Sequence, residues 1–350
     1  MRTILRLACA FLFSGFFINN TYSQDGGSST FDFLNVTRSA RVAALGGNYL
    51  AIKDNDITLA YTNPSLITPE MNNNLALSFV DYFSDINYGF ASYGRSFTKA
   101  GSFVGTLQFI DYGQFNYSDA AGNTLGNFAA NEMALNIGWG RSLDSLFSIG
   151  AAVKGIYSSF DSYTASGIAV DAAATYHNPA KRLTVSLIAS NIGMQLQKYR
   201  TGDREPLPFE IGIGLSKRLE HMPLRFSVLL THLEKWDLTY DDPLSVEKDP
   251  ITGEIKEPSK LSDFADKFMR HVVIGAEFQP FKALSIRLGY NYKRRQEMKV
   301  ESKLSTIGFS WGVGLQVSKF NFSYARSTDH LAGSPNYITI TTNFDTFKKR

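Results

Sequence analysis

Gly308-Phe309-Ser310-Trp311-Gly312 fits the G-x-S-x-G string of a serine nucleophile. That chemistry needs a strand, a sharp turn and a helix, which together expose the hydroxyl to a base. Here apolar alternation runs straight through Ser310, so it reads as a small side chain on the polar face of a strand. The five histidines, His177, His221, His232, His271 and His330, lack H-E-x-x-H or any comparable ligand spacing. His232 and His271 fall near the outer ends of neighbouring predicted strands, but a metal there would lack a third ligand. Asp54-Asn55-Asp56 opens like a calcium loop. It has neither Gly at the sixth position nor Glu at the twelfth, so turn chemistry explains it more simply. These residues therefore offer no catalytic, cofactor-binding or metal-binding set, and no cofactor is expected.

The elements that must position these residues are strands. From Asn73 onward the pattern has period two. In "LSIRLGYNY", Leu284, Ile286, Leu288, Tyr290 and Tyr292 share one face, and Ser285, Arg287, Gly289 and Asn291 the other. "STIGFSWGVGL" and "FEIGIGLSK" alternate in the same way. About fourteen such segments lie between 74 and 346, each near the ten residues that a tilted strand needs to cross a bilayer. Short turns such as "TKAG" and "NPAKR" alternate with long connections at 112–129, 194–206, 234–268 and 294–302. Tyr82, Tyr93, Trp139, Tyr157, Tyr176, Tyr290, Tyr292 and Tyr324 sit near strand ends, as in interfacial girdles. The expected fold is an all-β transmembrane antiparallel barrel, apolar outside and polar within. A secreted soluble β-sandwich is the alternative that alternation alone leaves open.

Composition agrees. The 350 residues carry a formal net charge of +3, with 27 Phe, 17 Tyr and 28 Gly. No basic run is interleaved with stacking aromatics, so nucleic acid is not a predicted partner. Residues 1–23 read as a cleaved signal peptide, with Arg2 and Arg6 before the apolar run Leu7–Ile18. Cys9 lies inside that run, so the exported chain has no cysteine.

Residues 24–72 differ from the barrel that follows in 73–350. Small residues Ala40, Ala43, Ala44, Gly46 and Gly47 would allow close packing against a wall. Arg38, Arg41, Asp54 and Asp56 could pair with lumen charges, among them Glu132, Lys154, Asp171, Glu210, Arg225, Glu277 and Arg287. Asn63-Pro64 would turn the chain toward the first strand. The expected role of this segment is a plug inside the barrel. The loop Glu234–Met269 is rich in acids and ends in "LSDFADKFM", a predicted short amphipathic helix over 261–269. Trp236, Leu261, Phe264 and Phe268 are its candidate anchors for a partner.

"FDFLNVTRSARVAALGGNYLAIKDNDITLAYTNPSLIT", 31–68, resembles the N-terminal segment of the PorV/PorQ family, related to the FadL-like fatty-acid transporters. "LGG", the D-x-D acids and "NPSL" carry the likeness, with Ser65 where the pattern usually has Ala. "DYGQFNYSDAAGNTLGNF", "KRLEHMPLRFS", "EKWDL" and "RHVVIGAEF" extend it over nearly the whole exported chain. The resemblance implies an N-terminal plug and no enzymatic activity. It implies residence in the outer membrane of Bacteroidota, in contact with outer-membrane lipid. It also implies a role in the attachment complex of the type IX secretion system. There the partners would be a PorZ-like surface protein with PorU and PorV, and the secreted cargo would be joined to anionic lipopolysaccharide. The competing expectation is a FadL-like transporter of hydrophobic small molecules.

Overall fold

A computed structural model describes residues 29–47, 51–239, 259–298, 306–329 and 333–348. The predicted signal peptide lies outside the described residues.

Fourteen antiparallel strands close into a barrel, each paired with its sequence neighbours and the first with the last. The first seven are β1 (Asn74–Asp81), β2 (Asn87–Phe97), β3 (Gly101–Ser118), β4 (Thr124–Ser142), β5 (Phe147–Phe160), β6 (Tyr163–Asn178) and β7 (Leu183–Gln197). The second seven are β8 (Glu210–Arg218), β9 (Leu224–Leu230), β10 (Val272–Phe281), β11 (Leu284–Asn291), β12 (Phe309–Val317), β13 (Phe320–Ser327) and β14 (Asn336–Asn343). Ser285, Arg287 and Gly289 point inward on β11, while Ile286 and Leu288 are exposed. On β4, Glu132, Ala134 and Asn136 are buried between the exposed Met133, Leu135 and Ile137. Exposed Leu, Ile, Val and Phe recur on strand after strand. A belt of that extent exceeds the apolar patches that soluble proteins leave in water, so its natural solvent is lipid.

Two expected connections are shorter than the sequence suggested. Most of 112–129 is paired, because β3 and β4 continue outward to a tip at residues 119–123. Phe128 packs between Phe115 and Tyr117 across the ladder, with centroids 5.2 and 4.9 Å apart. Asp119 accepts hydrogen bonds from the amides of Ala121 and Asn123 and closes the turn. Likewise β7 runs on to Gln197, into the predicted loop 194–206. Two tyrosines leave the predicted girdle. Tyr82 stacks on Phe83 beyond the end of β1, and Tyr292 opens a helix.

Residues 31–47 and 51–71 lie inside the ring of strands as one short helix, α1 (Ala40–Ala44), and four 3-10 turns. Ser39 caps α1 by accepting from the Val42 amide. The Phe33 carbonyl accepts from Gln108 on β3, and the Ala51 carbonyl from Ser216 on β8. The Ala44 carbonyl accepts from Ser310 on β12, and the Ala40 amide donates to Thr339 on β14. These strands lie around the closed sheet, so the segment is bonded to the wall from several sides. Wall glycines allow its close approach. A Cβ at Gly150 would lie 2.2 Å from the Pro64 carbonyl carbon, and one at Gly289 would lie 2.3 Å from that of Leu45. Two further helices, α2 (Lys260–Arg270) and α3 (Tyr292–Met298), lie on the long-loop side.

Candidate functional site

Two clusters stand out: an ion network in the lumen and an apolar group on the outer face.

The lumen network is centred on Glu277 of β10. Its carboxylate accepts from Arg41 Nε at 3.1 Å and Nη2 at 2.9 Å, from Arg225 Nη1 at 2.9 Å and from Arg287 Nε at 2.8 Å. Arg41 also holds Asp54, 2.6 Å away, and Asp56, 3.0 Å away. Arg225 joins Asp54 at 2.9 Å. Three guanidiniums thus face three carboxylates. Enclosure pushes the Asp54 carboxyl up, but Arg41 and Arg225 outweigh it and hold Asp54 well below the usual carboxylate range. Asp56 also accepts from the Thr58 amide and so starts the turn Ile57–Leu59. The two aspartates of the D-x-D string, where the sequence favours turn chemistry, therefore pair with an arginine, and Asp56 also caps a turn. Around this network a cavity of about 470 Å³ is lined by Thr, Ser, Asn and Gln side chains near the short-turn end of the barrel.

The other lumen-segment residues separate from this group. Gly46 has φ +82°, a backbone that side-chain-bearing residues rarely adopt, and its carbonyl accepts from Asn291 at 3.1 Å. Gly47 lines a cavity at the opposite mouth. Asn63 and Pro64 are buried against β4, β5 and β6, so this element is a wedge in the wall rather than a simple turn into β1. Ser65, the departure from the family pattern, bonds Thr175 at 2.6 Å, and Thr175 bonds Ser186 at 2.6 Å. Arg38 is buried beneath Tyr61, apart from the acids.

Of the other predicted lumen charges, Lys154 and Asp171 pair at 2.7 Å. Glu132 instead accepts from the Tyr112 hydroxyl at 2.5 Å, and no cation bonds Glu210 among the described residues. Asn191 carried no signal in the period-two pattern. It has φ +59° at a register shift between β6 and β7. Its side chain accepts from Lys154 and donates to Asn35 and to the Pro208 carbonyl, linking wall, lumen segment and outer loop.

On the outer face, α2 matches the predicted amphipathic helix, yet none of its residues is buried. Leu261 is 79% exposed, Phe264 56%, Trp236 51% and Phe268 42%. Trp236 lies 5.5 Å from the Phe264 ring and stacks on His271 at 5.6 Å. The two ring nitrogens of His271 face the carbonyls of Thr231 and Trp236, so neither is free for a metal. His232 Nδ1 is 3.2 Å from Glu234. Lys267 bridges Asp237 and Asp263, each at 3.0 Å, and Asp266 accepts from Tyr292 of α3 at 2.7 Å. Enclosure opposes ionisation of Asp237, but the bonds from Thr239 and Lys267 together outweigh it and bring it down to about 2. Ser310, buried on β12, donates to the Ala44 carbonyl at 3.1 Å.

No protein-family model and no curated protein matches the chain. Solved structures do. The toluene transporter TbuX of Ralstonia pickettii aligns at TM-score 0.52 and 12% identity, over 90% of this chain and 100% of that one. The toluene transporter TodX of Pseudomonas putida aligns at TM-score 0.52 and 11% identity, over 87% and 96%. A FadL homologue of Pseudomonas aeruginosa aligns at TM-score 0.48 and 11% identity, over 88% and 98%. At these identities the likeness is one of fold. The chain shares the fold of these toluene transporters, a closed β-barrel.

Proposed function

We propose that the chain is a non-enzymatic outer-membrane barrel that acts by presenting its outer loops to a surface partner. The carrying observation is the exposed group of Trp236, Leu261, Phe264 and Phe268. Leu261, Phe264 and Phe268 sit on a helix tethered through Asp266, Lys267 and the adjoining His271, and Trp236 packs against it. Apolar side chains held half in water, away from the lipid belt, are what a protein interface covers. The bonds that tie Phe33, Ala40, Ala44 and Ala51 to strands around the barrel favour presentation over passage, as a plug would. The sequence resemblance then narrows the reading to PorQ of the type IX secretion system. Its partner would be a PorZ-like surface protein, with PorU and PorV completing the complex that attaches cargo to anionic lipopolysaccharide. The test is affinity purification of the tagged protein from its native outer membrane, parent against the double variant Trp236→Ala, Phe264→Ala. The variant should fold, lose the partner and release cargo to the medium. Undiminished capture with cargo retained would reject the reading.

A second reading is transport of hydrophobic small molecules. It is favoured by the outer-mouth cavity of about 430 Å³, lined in part by Phe33, Val36, Tyr88 and Ile110. The two toluene transporters among the structural neighbours also point that way. Uptake of a labelled hydrocarbon that depends on this protein would favour transport.

A further inference from the structure

Arg38 is a lumen cation that no carboxylate neutralises among the described residues. Arg41, Arg225 and Arg287 share Asp54, Asp56 and Glu277, and Lys154 has Asp171. Arg38 is only 6% exposed and forms no ion pair among the described residues. Its guanidinium carbon lies 4.0 Å from the centre of the Tyr61 ring, which Lys154 Nζ also approaches at 4.9 Å. A ring shared by two cations compensates a buried charge only weakly. Arg38 Nε and the Tyr61 hydroxyl are both buried with no hydrogen-bond partner among the described residues. Residues Arg38 and Tyr61 line a small cavity of about 10 Å³ with the hydroxyl residues Thr58, Ser78, Ser92 and Thr106 and the apolar Ala76 and Phe90.

We propose that this cavity binds a single monatomic anion, a halide such as chloride, held by Arg38 and the Tyr61 hydroxyl. The volume limits the guest to a single small sphere. It is about that of one water-sized sphere and excludes carboxylates, phosphates and lipids. The donors select the charge. Ser92 and Thr106 bond each other at 2.8 Å, so one hydroxyl proton of the pair remains to point elsewhere. Ser78 and Thr339 bond at 2.9 Å, and Thr339 already accepts from the Ala40 amide. That pair also has a proton to spare. With the guanidinium N–H and the tyrosyl O–H, the cavity wall offers donors around a positive charge. A neutral water would satisfy some of these groups but leave the charge uncompensated. The anion would lock Arg38, and with it the residues leading into α1, to the wall strands β1, β2 and β3.

The experiment uses the full exported chain in detergent micelles. Sodium chloride is exchanged for sodium gluconate at constant ionic strength, and the melting temperature is followed. Chloride and bromide should raise it saturably, and Arg38→Met should remove that dependence. Should Arg38→Met fail to fold, Tyr61→Phe keeps the ring over Arg38 and drops one neutral hydrogen bond. It should raise the half-saturating chloride concentration about five-fold. Crystals grown in sodium bromide should show an anomalous peak between Arg38 and Tyr61. A water with no anomalous signal at that position would overturn the proposal. So would halide stabilisation that is identical in the parent and Tyr61→Phe proteins.

Discussion

Arg41 in the lumen and Lys267 on the outer face are both cations bridging carboxylates, but their settings differ. Arg41 is buried and holds Asp54, Asp56 and Glu277 at 2.6–3.0 Å. Lys267 holds Asp237 and Asp263 at 3.0 Å, and both acids are nearly half exposed. The same contrast holds for apolar groups. Leu45, Leu59 and Tyr61 are almost fully buried in the lumen, while Trp236, Leu261 and Phe264 stand in solvent. Breaking a buried ion network leaves uncompensated charge and costs several kcal/mol, whereas an exposed bridge contributes about 0–1 kcal/mol. The lumen contacts therefore hold the molecule together, and the outer cluster is free to meet something else.

The largest effect should come from the centre of the network. Glu277→Ala leaves Arg41, Arg225 and Arg287 facing one another without their shared carboxylate. It should destabilise the barrel by about 3–5 kcal/mol, read from chemical unfolding in micelles. A loss below about 1 kcal/mol would mean that water enters the lumen freely and the buried setting is wrong. Next is the wall itself. Gly150→Val would drive a side chain into Pro64, and overpacking of this kind costs about 1–3 kcal/mol. A neutral result would show that residues 64–66 can leave the wall.

Asp54 gives the comparison a pH dependence. Its folded pKa is depressed, so its stabilising contribution is fully present above the ordinary carboxylate value of about 3.9. It is lost as pH falls toward the lower folded-state value. Melting temperature should stay level from neutrality to about pH 5 and drop below about pH 4, with a smaller drop in Asp54→Asn. Ser310→Ala removes one hydrogen bond to the Ala44 carbonyl and should cost about 1 kcal/mol, measured by the same unfolding. Labelling of Ser310 by a serine-hydrolase probe would contradict its reading as a structural hydroxyl.

Most of the barrel was legible because side-chain alternation reports a sheet with one greasy and one polar face. The spans of β2, β6, β10 and β14 follow that alternation closely. Ends were less legible. The β3–β4 hairpin continues beyond the bilayer-length pattern through the packing of Phe115, Tyr117 and Phe128, which alternation does not encode. Inside, charge type suggested that Arg41, Asp54 and Glu277 would meet. It could not say that Arg38, three residues from Arg41, would face Tyr61 instead, because the partner depends on where each side of α1 meets the wall. Asn191 was invisible for a similar reason: its role comes from a register shift and a positive φ, which a period-two pattern only blurs. On the outer face, the apolar spacing foretold α2 and offered its apolar side as anchors for a partner. The helix formed, and that side remains exposed among the described residues.

The smallest effect on stability is expected at Lys267. Lys267→Ala removes two exposed bridges and should change unfolding by no more than about 0.5 kcal/mol. Its value lies in what it does to capture of the proposed partner. If apolar contact through Trp236 and Phe264 drives recognition, Lys267→Ala should retain the partner, because α2 is still held to α3 by Tyr292 and Asp266. Trp236→Ala, equally neutral for stability, should lose it. The added negative charge should if anything quicken association with a basic partner at low salt. Loss of the partner in Lys267→Ala as complete as in Trp236→Ala would mean that the helix is oriented by its ion pairs. The exposed apolar group alone would then not define the outer site.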